Sequence, residues 1–184
     1  MAYTIVICYD GEKTEAEYFT GWKRHLGPAG VDVRPVFVKS GGNGLNAVEA
    51  ALARKAVDDG YDEYWCVFDV DDTSISDLND AIQKSAANGM SLAISCRSFE
   101  VWLACHWGKI STAAILTEKQ AVKLVSAHHS SYTTKKKSVS FDDIIDLTDD
   151  AIKNAEWLET QNCSNPRTDV HKLVSKLNDK RKTS

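Results

Sequence analysis

The chain has 184 residues, 43% hydrophobic and 26% charged, with 26 acids against 22 bases for a net charge of −4. That length holds one domain with a real core, and the composition excludes a disordered or fibrous chain. The mild acidity argues against a surface that coats nucleic acid everywhere, but not against an acidic site that recruits phosphate through cations. Five cysteines (Cys8, Cys66, Cys96, Cys105 and Cys163) show no paired metal spacing, and their odd number gives no disulfide framework. Reduced core thiols, no basic-flanked apolar leader and no stretch near membrane length make a cytoplasmic protein without membrane attachment the expectation.

In chain order, "AYTIVICY" is a β-branched apolar run, a strand suited to burial on both faces. "KTEAEYFTGWKRHLG" follows as a helix closed by Gly27 and Pro28. "VDVRPVFVK" is the next strand, and its Pro35 points to an edge or an irregularity. After the flexible break "SGGNG", "LNAVEAALARKAVDDG" places Leu45, Val48 and Leu52 on one helix face, with Gly60 just past the end. "YDEYWCVFDV" is a third strand. "SISDLNDAIQKSAANG" is a helix carrying Ile75, Leu78, Ile82 and Ala86 at helical spacing. "MSLAIS" is a fourth strand and "SFEVWLACHWG" an apolar helix.

This order predicts an α/β fold: a mostly parallel four-stranded sheet flanked by helices. Beyond residue 110 the chain reads as helical, in "LTEKQAVKLVSAHH", "SFDDIIDLTDDAIKNAEWLET" and "NPRTDVHKLVSKLNDK". Pro166 suits the first turn of the last helix, with Asn165 as its cap. The lysine-rich "YTTKKKS" is a loop. The expected organisation is a core over residues 1–110 and a helical C-terminal extension over 111–184 packed on it.

In an open parallel sheet, ligands sit beyond the carboxyl ends of the strands. Asp10, Glu12 and Glu15 follow the first strand, and Asp69, Asp71 and Asp72 follow the third, so the pattern puts both clusters on one rim. Oxygen-rich ligation without Cys or His suits Mg²⁺ or Mn²⁺. Carboxylates brought together without a cation would repel strongly. The other reading, that these acids cap helices and decorate loops, stays open on spacing alone. Asp72 and Asp77 read individually as surface or capping residues.

Glu100 follows the fourth strand and either reaches the same rim or is a solvated helix acid. His106, six helical positions on, points elsewhere and aligns with Phe99 and Trp102, as a core histidine does. His128 and His129 resemble ligands only by composition. Lys13 lies within the acidic turn; Lys135, Lys136 and Lys137 either contact phosphate or form a solvated face. The five tryptophans read as core. No P-loop, dinucleotide fingerprint or nucleophile elbow is present.

With these segments in view, the sequence resembles the RloB family and, more broadly, Toprim domains, the metal-dependent modules of topoisomerases, primases and the overcoming-lysogenization-defect nucleases. "DGEKTEAEYF" is similar to the RloB opening Glu-Gly-Glu-Lys-Thr-Glu followed by Tyr-Phe, and "FDVDD" to its Asp-x-Asp segment. "SCRSFEVWLACHWG" is similar to a segment that usually reads Ser-Asn-Pro-x-Phe-Glu-x-Trp and ends in a His-aromatic pair. "NPRTDVHKLV" resembles the C-terminal signature. The resemblance runs from residue 3 to about residue 178.

The resemblance implies a Toprim-like catalytic core over residues 1–110 and a divalent-metal-dependent nuclease of DNA or RNA, an effector in bacterial anti-phage defence. It implies metal ligation by Asp10, Glu15, Asp69 and Asp71, and catalytic positions at Asp10, Glu12, Lys13, Asp69, Asp71 and Glu100. Arg97 and Lys135 are its candidate substrate contacts, Mg²⁺ or Mn²⁺ its cofactor, and an ABC/AAA-type ATPase its partner; homo-oligomer formation is left open. Two departures stand out. Asp10 replaces the family glutamate and is one methylene shorter, and Cys96 and Arg97 replace the Asn-Pro pair. They keep a second expectation in play, a degenerate Toprim-like subunit that binds nucleic acid or an ATPase partner.

Overall fold

In a computed structural model, residues 3–70 and 73–183 are described. The opening apolar run forms β1 (Tyr3–Tyr9) and leads into α1 (Thr14–Leu26), which a short 3-10 turn over Gly27–Ala29 closes. Next come β2 (Val31–Phe37), α2 (Gly44–Val57), β3 (Glu63–Asp69), α3 (Ile75–Ala87) and β4 (Ser91–Cys96). The remainder contributes α4 (Glu100–Ala104), α5 (Glu118–Ser126), α6 (Phe141–Ile144), α7 (Thr148–Thr160), β5 (Arg167–Thr168) and α8 (Val170–Lys182).

Among the described residues, one five-stranded sheet runs in the order β2-β1-β3-β4-β5. The first four strands are parallel, and β5 is antiparallel to β4. Because strand side chains alternate, β1 feeds two cores. Ile5, Ile7 and Tyr9 meet Phe19 and Trp22 of α1, whereas Val6 and Cys8 meet Ala47, Val48 and Ala51 of α2. Burying each large apolar side chain stabilises this arrangement by roughly 1.5–3 kcal/mol. Pro35 sits in the edge strand β2, where its missing N–H is tolerated.

Three expectations are corrected. The segment from Asn165 is not a helix start. Asn165 instead clamps a loop, accepting from Leu116 N–H at 3.2 Å and donating to Leu116 O at 3.0 Å. Pro166 then precedes β5, where Thr168 pairs with Ser95 and its hydroxyl lies 3.0 Å from that of Ser95. The sheet therefore has a fifth strand, and α8 begins only at Val170.

The long helix expected over residues 140–160 is broken by a 3-10 turn at Ile145–Leu147. There the Ile145 carbonyl accepts from Thr148 Oγ1 at 2.7 Å and from Arg181 Nη1 at 3.1 Å, which draws it out of a helical ladder. On α3 the buried face is Ala81 and Ser85, while Ile75 is 81% exposed and Ile82 44% exposed. Ala86 is exposed as well, and only Leu78 of the expected stripe is partly buried. α3 packs chiefly on α2 and only lightly on β4, and small residues permit that close approach.

Candidate functional site

The direction in which strands are added reverses between β1 and β3, with β2 on one side of β1 and β3 then β4 on the other. The helix after β1 joins one core and the helix after β3 the other, so a crevice opens at the carboxyl ends of these two strands. Asp10 is the residue after β1, and Asp69 closes β3 in register with Ser95 of β4. Asp10 is half-buried, and its Oδ2 accepts from Ser40 Oγ at 2.8 Å. The Ser40 hydroxyl also accepts from Gly42 N–H at 3.1 Å, so the "SGGNG" loop folds over this carboxylate.

One turn further, Glu15 sits in the first turn of α1 and is 6% exposed. Gly11 makes this possible, because a Cβ there would overlap the Glu15 carboxylate. A cavity of about 230 Å³ results, with Glu12, Lys13, Glu15, Asp69, Glu100 and Lys137 among its walls. Glu12 and Lys13 stand exposed at the mouth.

The two buried glutamates behave differently. Burial pushes Glu15 up to about 7; its own backbone N–H opposes this, and the negative charges of Asp10 and Glu100 add to the rise. Glu100, 2% exposed at the start of α4, would also be raised by burial. The donors around it prevail and hold it below the usual carboxylate range; they include Lys137 Nζ at 3.0 Å and Tyr132 Oη at 2.8 Å. Burial would lower the Lys137 ammonium, but Glu118 and Glu100 together hold it well above its ordinary value. The cavity thus holds one acid paired directly with a cation and another whose charged form is disfavoured above all by burial, with the charges of Asp10 and Glu100 adding to it.

The sequence-derived residues divide accordingly. Glu12, Lys13, Glu15, Asp69 and Glu100 share the cavity, and Asp10 adjoins it through its charge on Glu15. Asp71 and Asp72 lie outside the described residues. Glu100 is no solvated helix acid, and Lys137 is no part of a solvated face. Arg97 is partly buried between β4 and α4, outside the cavity wall, and Lys135 is exposed on its loop.

His106 is a core residue. Its Nδ1 lies 3.0 Å from Leu103 O, its ring packs 5.1 Å from that of Trp102, and burial pushes it down to about 4. His128 stacks on Trp107 with centroids 5.2 Å apart, and His129 pairs with Asp143. Sequence reasoning missed Ser40, Thr14 and Tyr132. Only the position of Thr14 inside the acidic turn hinted at a role; Tyr132 is brought in by tertiary folding alone.

Asp10, Glu15 and Asp69 carry the kind of oxygen donor a hard divalent cation takes, and the Glu15 carboxylate occupies the space that a Cβ on Gly11 would fill. Among the described residues, no three His, Cys, Asp or Glu side chains stand together in an arrangement that would hold a metal ion. Also among them, no helix is long and apolar enough to cross a membrane.

No curated protein and no solved structure matches the chain. A family model described as RloB-like protein matches residues 5–177, and the mostly parallel helix-flanked sheet is broadly consistent with the Toprim-like fold expected of that family. With nearly its whole length matched, the chain belongs to the RloB-like protein family.

Proposed function

We propose that the protein is a divalent-metal-dependent nuclease that hydrolyses phosphodiesters of DNA or RNA as an effector of anti-phage defence. The observation that carries this reading is the buried Glu15 carboxylate, crowded by Asp10 and Glu100 at the switch point of the sheet beside Asp69. A folded protein keeps such a cluster at a cost in stability, and a bound cation offsets that cost. Asp10, Glu15 and Asp69, which do not stand together as a ready-made metal site, would have to close on Mg²⁺ or Mn²⁺, with Asp71 as the expected fourth ligand. When bound, such an ion activates water and stabilises charge developing on the phosphate.

The chain's own groups supply the rest. Ser40 orients Asp10 by donating to its Oδ2. Glu100 and Glu118 hold Lys137 as an ammonium in the cavity wall, from which it would reach a phosphate oxygen by exchanging the exposed Glu118 for it. Lys13 adds a second cation at the mouth. The defence role and the ABC/AAA-type ATPase partner rest on family resemblance.

The test is a cleavage screen on supercoiled DNA, single-stranded DNA and total tRNA with Mn²⁺ or Mg²⁺, with and without an ABC/AAA-type ATPase should one be encoded beside this protein. Cleavage by wild type that falls at least a hundredfold in Asp69→Asn supports the nuclease. One observation favours a second reading, a degenerate subunit: the shorter Asp10 stands where the family carries glutamate and is tied to Ser40. Metal binding with no cleavage of any substrate, even with the ATPase present, would select it.

A further inference from the structure

The loop beside the cavity has a geometry that cation binding does not require. Its two ends close on a single atom: Tyr132 Oη donates to Glu100 Oε1 at 2.8 Å, and Lys137 Nζ lies 3.0 Å from the same oxygen. Thr14 also touches both ends. Its hydroxyl is 3.2 Å from Tyr132 Oη and donates to Lys137 O at 3.4 Å. Tyr132 is fully buried, and its carbonyl accepts from Ser126 Oγ at 2.6 Å. Between the fixed ends the chain makes a tight turn, with Thr133 N–H donating to Lys136 O at 2.9 Å and Lys136 N–H to Thr133 Oγ1 at 3.0 Å. Residues 133–136 are all exposed, so Lys135 and Lys136 stand outside while Lys137 forms part of the cavity wall.

Ordering a loop costs about 1 kcal/mol or more per residue, and lysines that merely solvate a surface gain nothing from two buried attachments. A single lysine in a cavity serves one phosphate; a row leading away from it follows a backbone of phosphates. We propose that residues 132–137 form a strap, fastened by Glu100 and Thr14, whose Lys135 and Lys136 take the phosphates flanking the one at the cavity. The ligand is then a polynucleotide rather than a mononucleotide or small phosphodiester, and Glu100 is a positioning residue. The proposal rests on the nuclease reading only for the phosphodiester chemistry of its ligand.

The experiment is fluorescence anisotropy of the full chain with labelled single-stranded and duplex oligonucleotides, titrated with salt in calcium chloride. Lys135→Ala/Lys136→Ala should weaken binding on the order of tenfold at about 0.1 M salt and flatten log K against log salt by about 1.4 for single strands or 1.8 for duplex. Lys135→Arg/Lys136→Arg should keep the wild-type slope, and a nucleoside monophosphate should fail to compete. An unchanged slope in the alanine variant, competition by the monophosphate, or no oligonucleotide binding at all overturns the strap. Calorimetric Mn²⁺ titration of the same preparation separates the two readings. A chain that shows the slope change but binds no Mn²⁺ and cuts nothing refutes the nuclease and leaves the strap; a chain that cuts with an unchanged slope does the reverse.

Discussion

Glu15 occupies a place where a carboxylate is costly. Its folded pKa of about 7 lies above the ordinary 4.5, so the folded state holds the proton more tightly than the unfolded state between those values. Stability is therefore lost as pH rises through that window, and above it the loss amounts to about 3 kcal/mol. Glu15→Gln should stabilise the metal-free protein by that order at pH values above 7 and by little below 4.5, as read by chemical denaturation in EDTA. Added Mn²⁺ should narrow the difference by stabilising wild type more than the variant; a variant no more stable than wild type above pH 7 would contradict the burial argument. The acids themselves were legible, because apolar runs ending in Asp10 and Asp69 mark strand ends. Tyr132 was not, since its partner Thr14 is 118 positions away and no local pattern links them.

At the scale of elements, the strands and most helices follow from periodicity, and the misreadings have local causes. Hydrophobic spacing runs smoothly through 141–160, but the Ile145 carbonyl is claimed by Thr148 and Arg181. A two-residue strand such as β5 carries no period at all and is recognisable only once Ser95 and Cys96 lie beside it. Close packing is equally invisible in one dimension: α1 meets Phe141 across Gly21, where a Cβ would overlap the ring. Gly21→Ala should accordingly destabilise the fold by about 1–3 kcal/mol despite alanine's better helix propensity. A urea midpoint at or above that of wild type would show that the α1–α6 contact yields.

Across the whole molecule, residues beyond 110 do more than cover the sheet: β5 extends it, and Lys137 helps to wall the cavity. The core they complete contains His106, whose folded value of about 4 is depressed by burial. Here the unfolded state binds more protons between pH 4 and about 6.5, so stability is full above that window and falls by about 3 kcal/mol as pH drops through it. Glu15 acts in the opposite sense over much of the same range, so the effect is best read in a Glu15→Gln background. There, His106→Phe should flatten the loss between pH 6.5 and 4; an equally steep loss in both proteins would place the titrating group elsewhere.

The central claim is that the carboxylates at the sheet's switch point form a cation site. It is tested most directly by calorimetric titration of Mn²⁺ into the chelator-treated full chain and its Asp69→Asn and Glu15→Gln variants at one pH above 7. The account predicts saturable binding to wild type, with at least tenfold weaker binding in each variant. No saturable heat in wild type, or binding that both substitutions leave unchanged, would contradict it.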